Sequence, residues 1–348
     1  MKKKIIISIA AILLISIVLA LFSGLLAPKY ISNPEGRLTG EYYSQAGDND
    51  VIFLGDCEVY ETFVPAILWE KYGISSYVRG SAQQLIWQSY YILEETLKYE
   101  KPTAVVFNVY SLKYGKPQSE AYNRMTFDTM RWSGAKLNGI LASMTEEESI
   151  VDYIFPLLRY HSRIGELESD DFKYWFNSPE RVSDSGYLMQ VGIEPKPEDD
   201  ENPRELLKYD FSQSAFDYLD KMNEICKANG VELILVKAPT NSWNYYWYDE
   251  YEAQVESYVE KTGLKYYNLI ENESEIGIDW SVDTYDKGFH LNVYGAEKTT
   301  EYFGKILSEE HQIADRRDDS ALSEKWNERV NIYNDRKEKL EKLEDGEK

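Results

Sequence analysis

Apolar positions along this chain fall into three regimes. The first is residues 5–26, a charge-free and mostly apolar run preceded by Lys2, Lys3 and Lys4. As a helix this run reaches about 33 Å, enough for a hydrocarbon core of roughly 30 Å, and Ser8, Ser16 and Ser23 can bond back to helix carbonyls. The pattern predicts a membrane-spanning signal-anchor. The lysine cluster predicts a cytoplasmic N-terminus in a single-pass cell-membrane protein, with everything after Pro28 on the far side. A cleavable signal peptide is the rival reading. Its apolar core would usually be shorter and end in a small-x-small site, which Ala20-Leu21-Phe22 and Leu25-Leu26-Ala27 fit poorly.

The second regime, from residue 51, alternates strand and helix. A buried strand is expected at 51–54, then a helix over 60–72 that stops at Gly73. Tyr77-Val78-Arg79 reads as a short strand, and Ile86, Tyr90, Leu93 and Leu97 line one face of the next helix. Residues 104–109 are apolar and β-branched except for Asn108, as in a strand covered on both faces. Between about 113 and 210 the alternation lapses, and a Pro- and acid-rich stretch at 194–203 looks like an exposed loop; this is read as a helical insertion or cap. The pattern resumes with a helix ending at Asn229-Gly230, a strand at 231–236, a helix at 248–262, a strand at 265–267, and a last helix at 293–307 that Asn292 can cap. The expected fold is α/β with a parallel sheet. The third regime, beyond Asp315, is charge at helical spacing with Trp326 and Val330 as isolated apolar points, and predicts a solvated helical tail. The expected divisions are an anchor at 1–28, an α/β domain at 45–312 and a charged tail at 313–348.

Composition sharpens this picture. Among 348 residues, 43% are hydrophobic and 14% aromatic, so most of the chain can bury a core. The net charge of −22 opposes binding to nucleic acid or to anionic lipid faces. The two cysteines, Cys57 and Cys226, would in an exported chain ordinarily form a disulfide. Their settings argue otherwise, since Cys57 follows a strand at a tight turn and Cys226 lies near the end of a helix beside Ile225, as a small core residue does.

Open parallel sheets place working residues beyond the carboxyl ends of their strands. After the first strand, Gly55-Asp56-Cys57-Glu58 would lift the Cys57 sulfur to a helix N-terminus, which stabilises a thiolate. Gly80 after the second strand and Asn108 at the end of the third could offer a backbone N–H and an amide to a developing oxyanion. Of the three histidines, His311 begins the charged tail and His161 lies in the insertion. His290 remains as general base, with Asp286 four residues upstream to orient its ring and Asp283 as second choice. After the fourth strand, Trp243, Tyr245, Tyr246, Trp247, Tyr248 and Tyr251 are six aromatics within nine residues. They suit sugar rings, and equally suit packing of the cap or a membrane interface. Arg79 is placed either to meet an acidic substrate group or to form a salt bridge. No phosphate loop, paired-His zinc motif or calcium loop occurs, and no cofactor is implied.

These features together resemble the SGNH, or GDSL-like, hydrolase superfamily, in the branch similar to extracytoplasmic polysaccharide and teichoic-acid acyltransferases. The resemblance spans about 50–112 and 214–307. It rests on Val51-Ile52-Phe53-Leu54-Gly55-Asp56-Cys57, Gly80, Asn108, and Asp286 with His290-Leu291-Asn292 leading into Tyr294-Gly295-Ala296. It implies a flavodoxin-like three-layer sandwich, a nucleophile at Cys57, a His290–Asp286 pair and an oxyanion hole of Gly80 and Asn108. The implied activity is an acyl-ester hydrolase or O-acyltransferase, with a cell-envelope polysaccharide or a small acyl ester as partner. Two departures stand out: cysteine replaces serine, and the aspartate precedes the histidine by four residues where three is commoner. A thioester at Cys57 suits transfer to an alcohol or to water. The same substitution suits a non-catalytic glycan-binding or envelope-assembly protein that kept the pocket, and a thiol-redox role is disfavoured because no resolving cysteine lies nearby.

Overall fold

The computed structural model describes residues 2–197, 210–241 and 248–347. Trp243, Tyr246 and Trp247, with Tyr245, lie outside the described residues, as does part of 194–203. A helix, α1 (Lys2–Leu26), projects with its apolar surface uncovered until its last turn, where Leu25 and Leu26 are buried. It is long and apolar enough to cross a membrane.

Five strands form one parallel sheet: β1 (Val51–Gly55), β2 (Ser76–Gly80), β3 (Ala104–Asn108), β4 (Glu232–Lys237) and β5 (Lys265–Asn268). Their order is β2-β1-β3-β4-β5, so the chain moves outward from β1 to β2 and then returns past β1 to β3. That reversal opens a crevice at the carboxyl ends of β1 and β3. All five residues of β1, β2 and β3 are buried, which explains why those strands read as continuous runs without alternation.

Both sheet faces are covered. The helices α2 (Pro65–Tyr72) and α6 (Val293–Glu309) pack on one face, where Val51, Phe53, Val106 and Ile234 meet Leu68, Phe303 and Leu307. On the other, Ile52, Leu54, Val105 and Leu235 meet α3 (Ile86–Tyr99), α4 (Gln213–Asn229) and α5 (Tyr248–Thr262). This is a three-layer α/β sandwich, as expected.

Two details differ from the sequence pattern. The helix expected over 60–72 is a single turn, Cys57–Tyr60, then an interruption, then α2. Pro65 has no N–H to donate and forces the preceding residue out of the helical region, and Val64 is extended at φ −105° and ψ 99°. The tail is also less solvated than its charge implies. It forms α7 (Ser320–Glu347), in which Leu322, Trp326 and Tyr333 are buried and Trp326 stacks on Trp69 of α2 at 5.6 Å.

The insertion after β3 folds into short helices, among them Glu120–Phe127, Gly134–Ser143, Ile150–Ile154, Pro156–Tyr160 and Ser169–Lys173. It closes a small core of its own around Phe127, Met130, Ile140 and Tyr153. Its returning segment is stitched to the sandwich where Val78 N–H donates to Ser185 O at 2.9 Å and Leu188 N–H to Tyr60 O at 2.8 Å.

Candidate active site

The turn after β1 is built around a glycine. Gly55 has φ 156°, and a Cβ there would lie 2.4 Å from Val59 Cγ2 and 3.1 Å from Asn108 Cβ. No larger residue fits this turn. Asp56 then caps the single helical turn, its carboxylate accepting from Glu58 N–H at 3.3 Å, and Cys57 stands half-buried at the first helical position. Cys226 is buried in the cluster on the opposite face of the sheet, so both cysteines are free thiols.

His290 comes from a tight loop between β5 and α6. Thr284 Oγ1 accepts from Gly288 N–H at 2.9 Å, Gly288 has φ 87°, and Gly288 O accepts from Asn241 N–H at 2.8 Å in the loop after β4. These bonds hold the loop against the crevice. Asp286 then grips His290 twice: Oδ1 accepts the backbone N–H at 2.8 Å, and Oδ2 lies 2.6 Å from the ring Nδ1. The ring lies near enough to the Cys57 thiol that each group alters the other's proton affinity. The structure therefore brings Cys57, His290 and Asp286 together at the crevice. Asp283 is not part of this set; its Oδ2 accepts from Lys298 Nζ at 2.6 Å and from Asp279 N–H at 2.7 Å.

Four acidic side chains shape the electrostatics. Glu61, one helical turn beyond Cys57, places Oε2 3.5 Å from the same His290 nitrogen and accepts from Tyr285 Oη at 3.0 Å. Burial pushes Glu61 up to about 7 despite the neighbouring imidazole, and burial with Glu58 pushes Asp56 up to about 6. For His290, burial alone would favour the neutral ring, but Cys57, Glu61 and Asp286 together raise its pKa well above the ordinary histidine value. Burial also raises the Cys57 thiol, opposed by His290 and reinforced by Asp56. The helix-terminus effect expected to lower it is outweighed by burial, and the acidic cap Asp56 adds to the rise.

The expected oxyanion donors are placed unevenly. Gly80 ends β2 in register with Gly55, beside the nucleophile turn. Asn108 ends β3 nearby, but its amide is engaged at both ends: Nδ2 donates to Glu58 Oε2 at 2.9 Å, and Oδ1 accepts from Ala238 N–H at 3.1 Å. Glu58 is itself in a buried ion pair with Lys237 at 2.7 Å. A second cation, Lys113, sits 3.1 Å from the centre of the Tyr110 ring, and burial lowers its pKa to about 8 even though Asp56, Glu58 and Cys57 pull it upward. Arg79 lies inside the molecule on the other face of the sheet, bonding Glu95 at 3.3 Å and Thr96 at 2.7 Å, with its guanidinium 3.8 Å from the Tyr42 ring centre. It has no surface to offer an acidic substrate.

Glu58, Glu61, Lys113 and Lys237 were not singled out by the sequence pattern. The signals were there: Glu58 and Glu61 are one and four residues after Cys57, and Lys237 is a cation directly after the apolar run 233–236. Among the described residues, no cluster of three His, Cys, Asp or Glu side chains is arranged to hold a metal ion. Chemically, the arrangement can pass the thiol proton to an imidazole whose cationic form two carboxylates stabilise, leaving a thiolate at the crevice.

Compared with family models and with curated proteins, the chain matches none. Among solved structures it is similar to a protein of Bacteroides fragilis whose own acylhydrolase assignment is provisional. The two share 11% identity over 79% of this chain and 95% of that one, with a TM-score of 0.39. At that level the likeness carries no argument about chemistry.

Proposed function

We propose that this protein is a membrane-anchored, extracytoplasmic acyl-ester enzyme, a hydrolase or O-acyltransferase acting on cell-envelope glycans through Cys57. The observation that carries the reading is the convergence of Cys57, His290 and Asp286 at the reversal point of the sheet, with His290 Nδ1 2.6 Å from Asp286 Oδ2. In this reading Cys57 attacks the acyl carbonyl and the alcohol leaves with the proton that His290 took from sulfur. The thioester then passes to a sugar hydroxyl or to water, whose proton returns through His290. Asp286 and Glu61 favour the imidazolium formed in each step. Gly80 and the backbone around Cys57 supply oxyanion stabilisation, while the Asn108 amide must leave Glu58 to contribute.

Retention of α1 as an anchor is supported by its last turns being built into the fold. Leu26 O accepts from Arg163 at 2.5 Å and Leu21 O accepts from Trp175 Nε1 at 2.9 Å.

The commitment of Asn108 to Glu58 favours a second reading, a glycan-binding protein on a site that no longer turns over. One experiment separates them. The full chain in detergent is incubated with p-nitrophenyl acetate and followed for release of nitrophenol and for intact mass. The enzyme reading expects a single acetyl adduct that is absent in Cys57→Ala, and an adduct that accumulates in His290→Ala or Asp286→Asn only at a rate reduced about 100-fold or more. No turnover and no adduct, with retained binding to envelope glycan, would replace it with the binding reading.

A further inference from the structure

Outside α1, exposed large apolar side chains concentrate in one segment, residues 150–176. Ile154, Phe155, Leu158, Ile164, Phe172 and Phe176 are between 46% and 74% exposed there. Some polar groups of the same segment pair within the fold, while His161, Glu166, Glu168 and Lys173 stay exposed beside the apolar ones. Tyr160 Oη bonds Asp128, Arg159 Nε bonds Glu120 at 2.7 Å, Arg163 bonds Asp171 at 2.9 Å, and Tyr153 and Asp171 are buried. Six large apolar side chains exposed within one stretch, 154–176, are more than a water-facing surface ordinarily gathers in one place.

Its place in the molecule identifies what covers it. The helices Pro156–Tyr160 and Ser169–Lys173 and the turn His161–Gly165 pack against α1. Trp175 donates to Leu21 O at 2.9 Å and Arg163 to Leu26 O at 2.5 Å. With Lys2–Lys4 at one headgroup layer, Ile5 marks the start of the hydrocarbon. Leu21 then stands about 24 Å across it and Leu26 about 32 Å, so these turns straddle the opposite boundary of a core roughly 30 Å thick. The apolar segment is thus fixed at the depth where amphipathic helices and aromatic belts lie, with Trp175 stacked on Phe176 at 4.8 Å.

We infer that residues 150–176 form an interfacial collar around α1, inserting Ile154, Phe155, Leu158, Ile164, Phe172 and Phe176 into the acyl layer of the leaflet that α1 exits. The inference rests on the anchor reading of α1. The segment carries five acids against three bases, so it binds by burying apolar surface, and zwitterionic phospholipid suffices. The collar holds the α/β domain against the membrane instead of letting it swing on a flexible stalk.

The full chain, reconstituted one copy per nanodisc in phosphatidylcholine bearing a diazirine on its acyl chain, is irradiated and the adducts are mapped by mass spectrometry. The expected result is labelling of both α1 and 150–176, the latter about tenfold above α4, a water-facing helix. In the triple variant Phe155→Asp, Leu158→Asp, Phe172→Asp, labelling of 150–176 falls to the α4 level while that of α1 persists. Adducts in α1 with none in 150–176 overturn the collar and leave the anchor intact. No adducts in α1 overturn both. Discs that assemble only with two copies, and leave 150–176 unlabelled, replace lipid with a second copy of this chain as the occupant.

Discussion

The imidazole of His290 is shared by two carboxylates with different duties. Asp286 holds it through two bonds, whereas Glu61 is buried, bonded by Tyr285, and half-protonated near neutral pH. The linkage has a definite sign. Glu61 in the folded state titrates at about 7, above its usual 4.5, so the native state prefers the neutral carboxyl, and that preference is lost as pH rises through about 7. Glu61→Gln keeps a neutral side chain at every pH. The stability of this variant relative to the parent should therefore increase between pH 5 and pH 8, by up to on the order of 3 kcal/mol in denaturant titrations. A difference that stays flat across this range would place Glu61 as an ordinary ionised carboxylate. Glu58 and Lys237 are a contrasting case at the same scale. They are buried together at 2.7 Å, and their pairing fixes the Asn108 amide, so the residue expected to receive an oxyanion is instead tied to the nucleophile's neighbour.

At the scale of elements, strands and long helices were legible because their periodicities are local. β1, β3, α3, α5 and α6 fall within two residues of the spans their patterns predict. The interruption before α2 was legible too, in Pro65, although the apolar spacing on either side masked it. The charged tail was the harder case. Leu322, Trp326, Val330 and Tyr333 recur at spacings of four, four and three, which is one helix face, but the stripe is narrow and every position between except Ile332 is charged or polar. The partners of that stripe come from far along the chain, Trp69 on α2 for Trp326 and Tyr187 for Tyr333. Trp326→Ala should then lower unfolding stability by about 3 kcal/mol, measured by urea titration of the detergent-solubilised chain. A cost below about 0.5 kcal/mol, the range of ordinary surface substitutions, would mean that α7 does not hold the sandwich.

At the scale of the whole molecule, an acidic domain is tied to an apolar helix by backbone carbonyls of that helix. Those bonds predict that α1 stays. In cells, the full-length chain should remain in the membrane after alkaline washing, and protease added from outside should digest the domain while sparing the first residues. Release by the wash of a chain shortened by about 25 residues would identify 1–26 as a cleaved signal peptide.

By itself, the sequence determined the long apolar N-terminal helix, the α/β class, the position of Cys57 at a strand end and the Asp286–His290 pair. Each of these is a statement about neighbours within a few residues, where periodicity, turn chemistry and spacing act directly on the backbone. Tertiary structure alone decided the rest, because burial and charge pairing depend on residues far apart in the chain. It enclosed Arg79 against Glu95 and Tyr42, and turned Asp283 toward Lys298. It brought Lys237 from 179 residues away to Glu58, and it left large apolar side chains of the insertion, such as Phe155 and Phe176, exposed. The thiol's proton affinity belongs to this second group. A helix N-terminus can be read from sequence, but the desolvation that outweighs it is a property of the packed crevice.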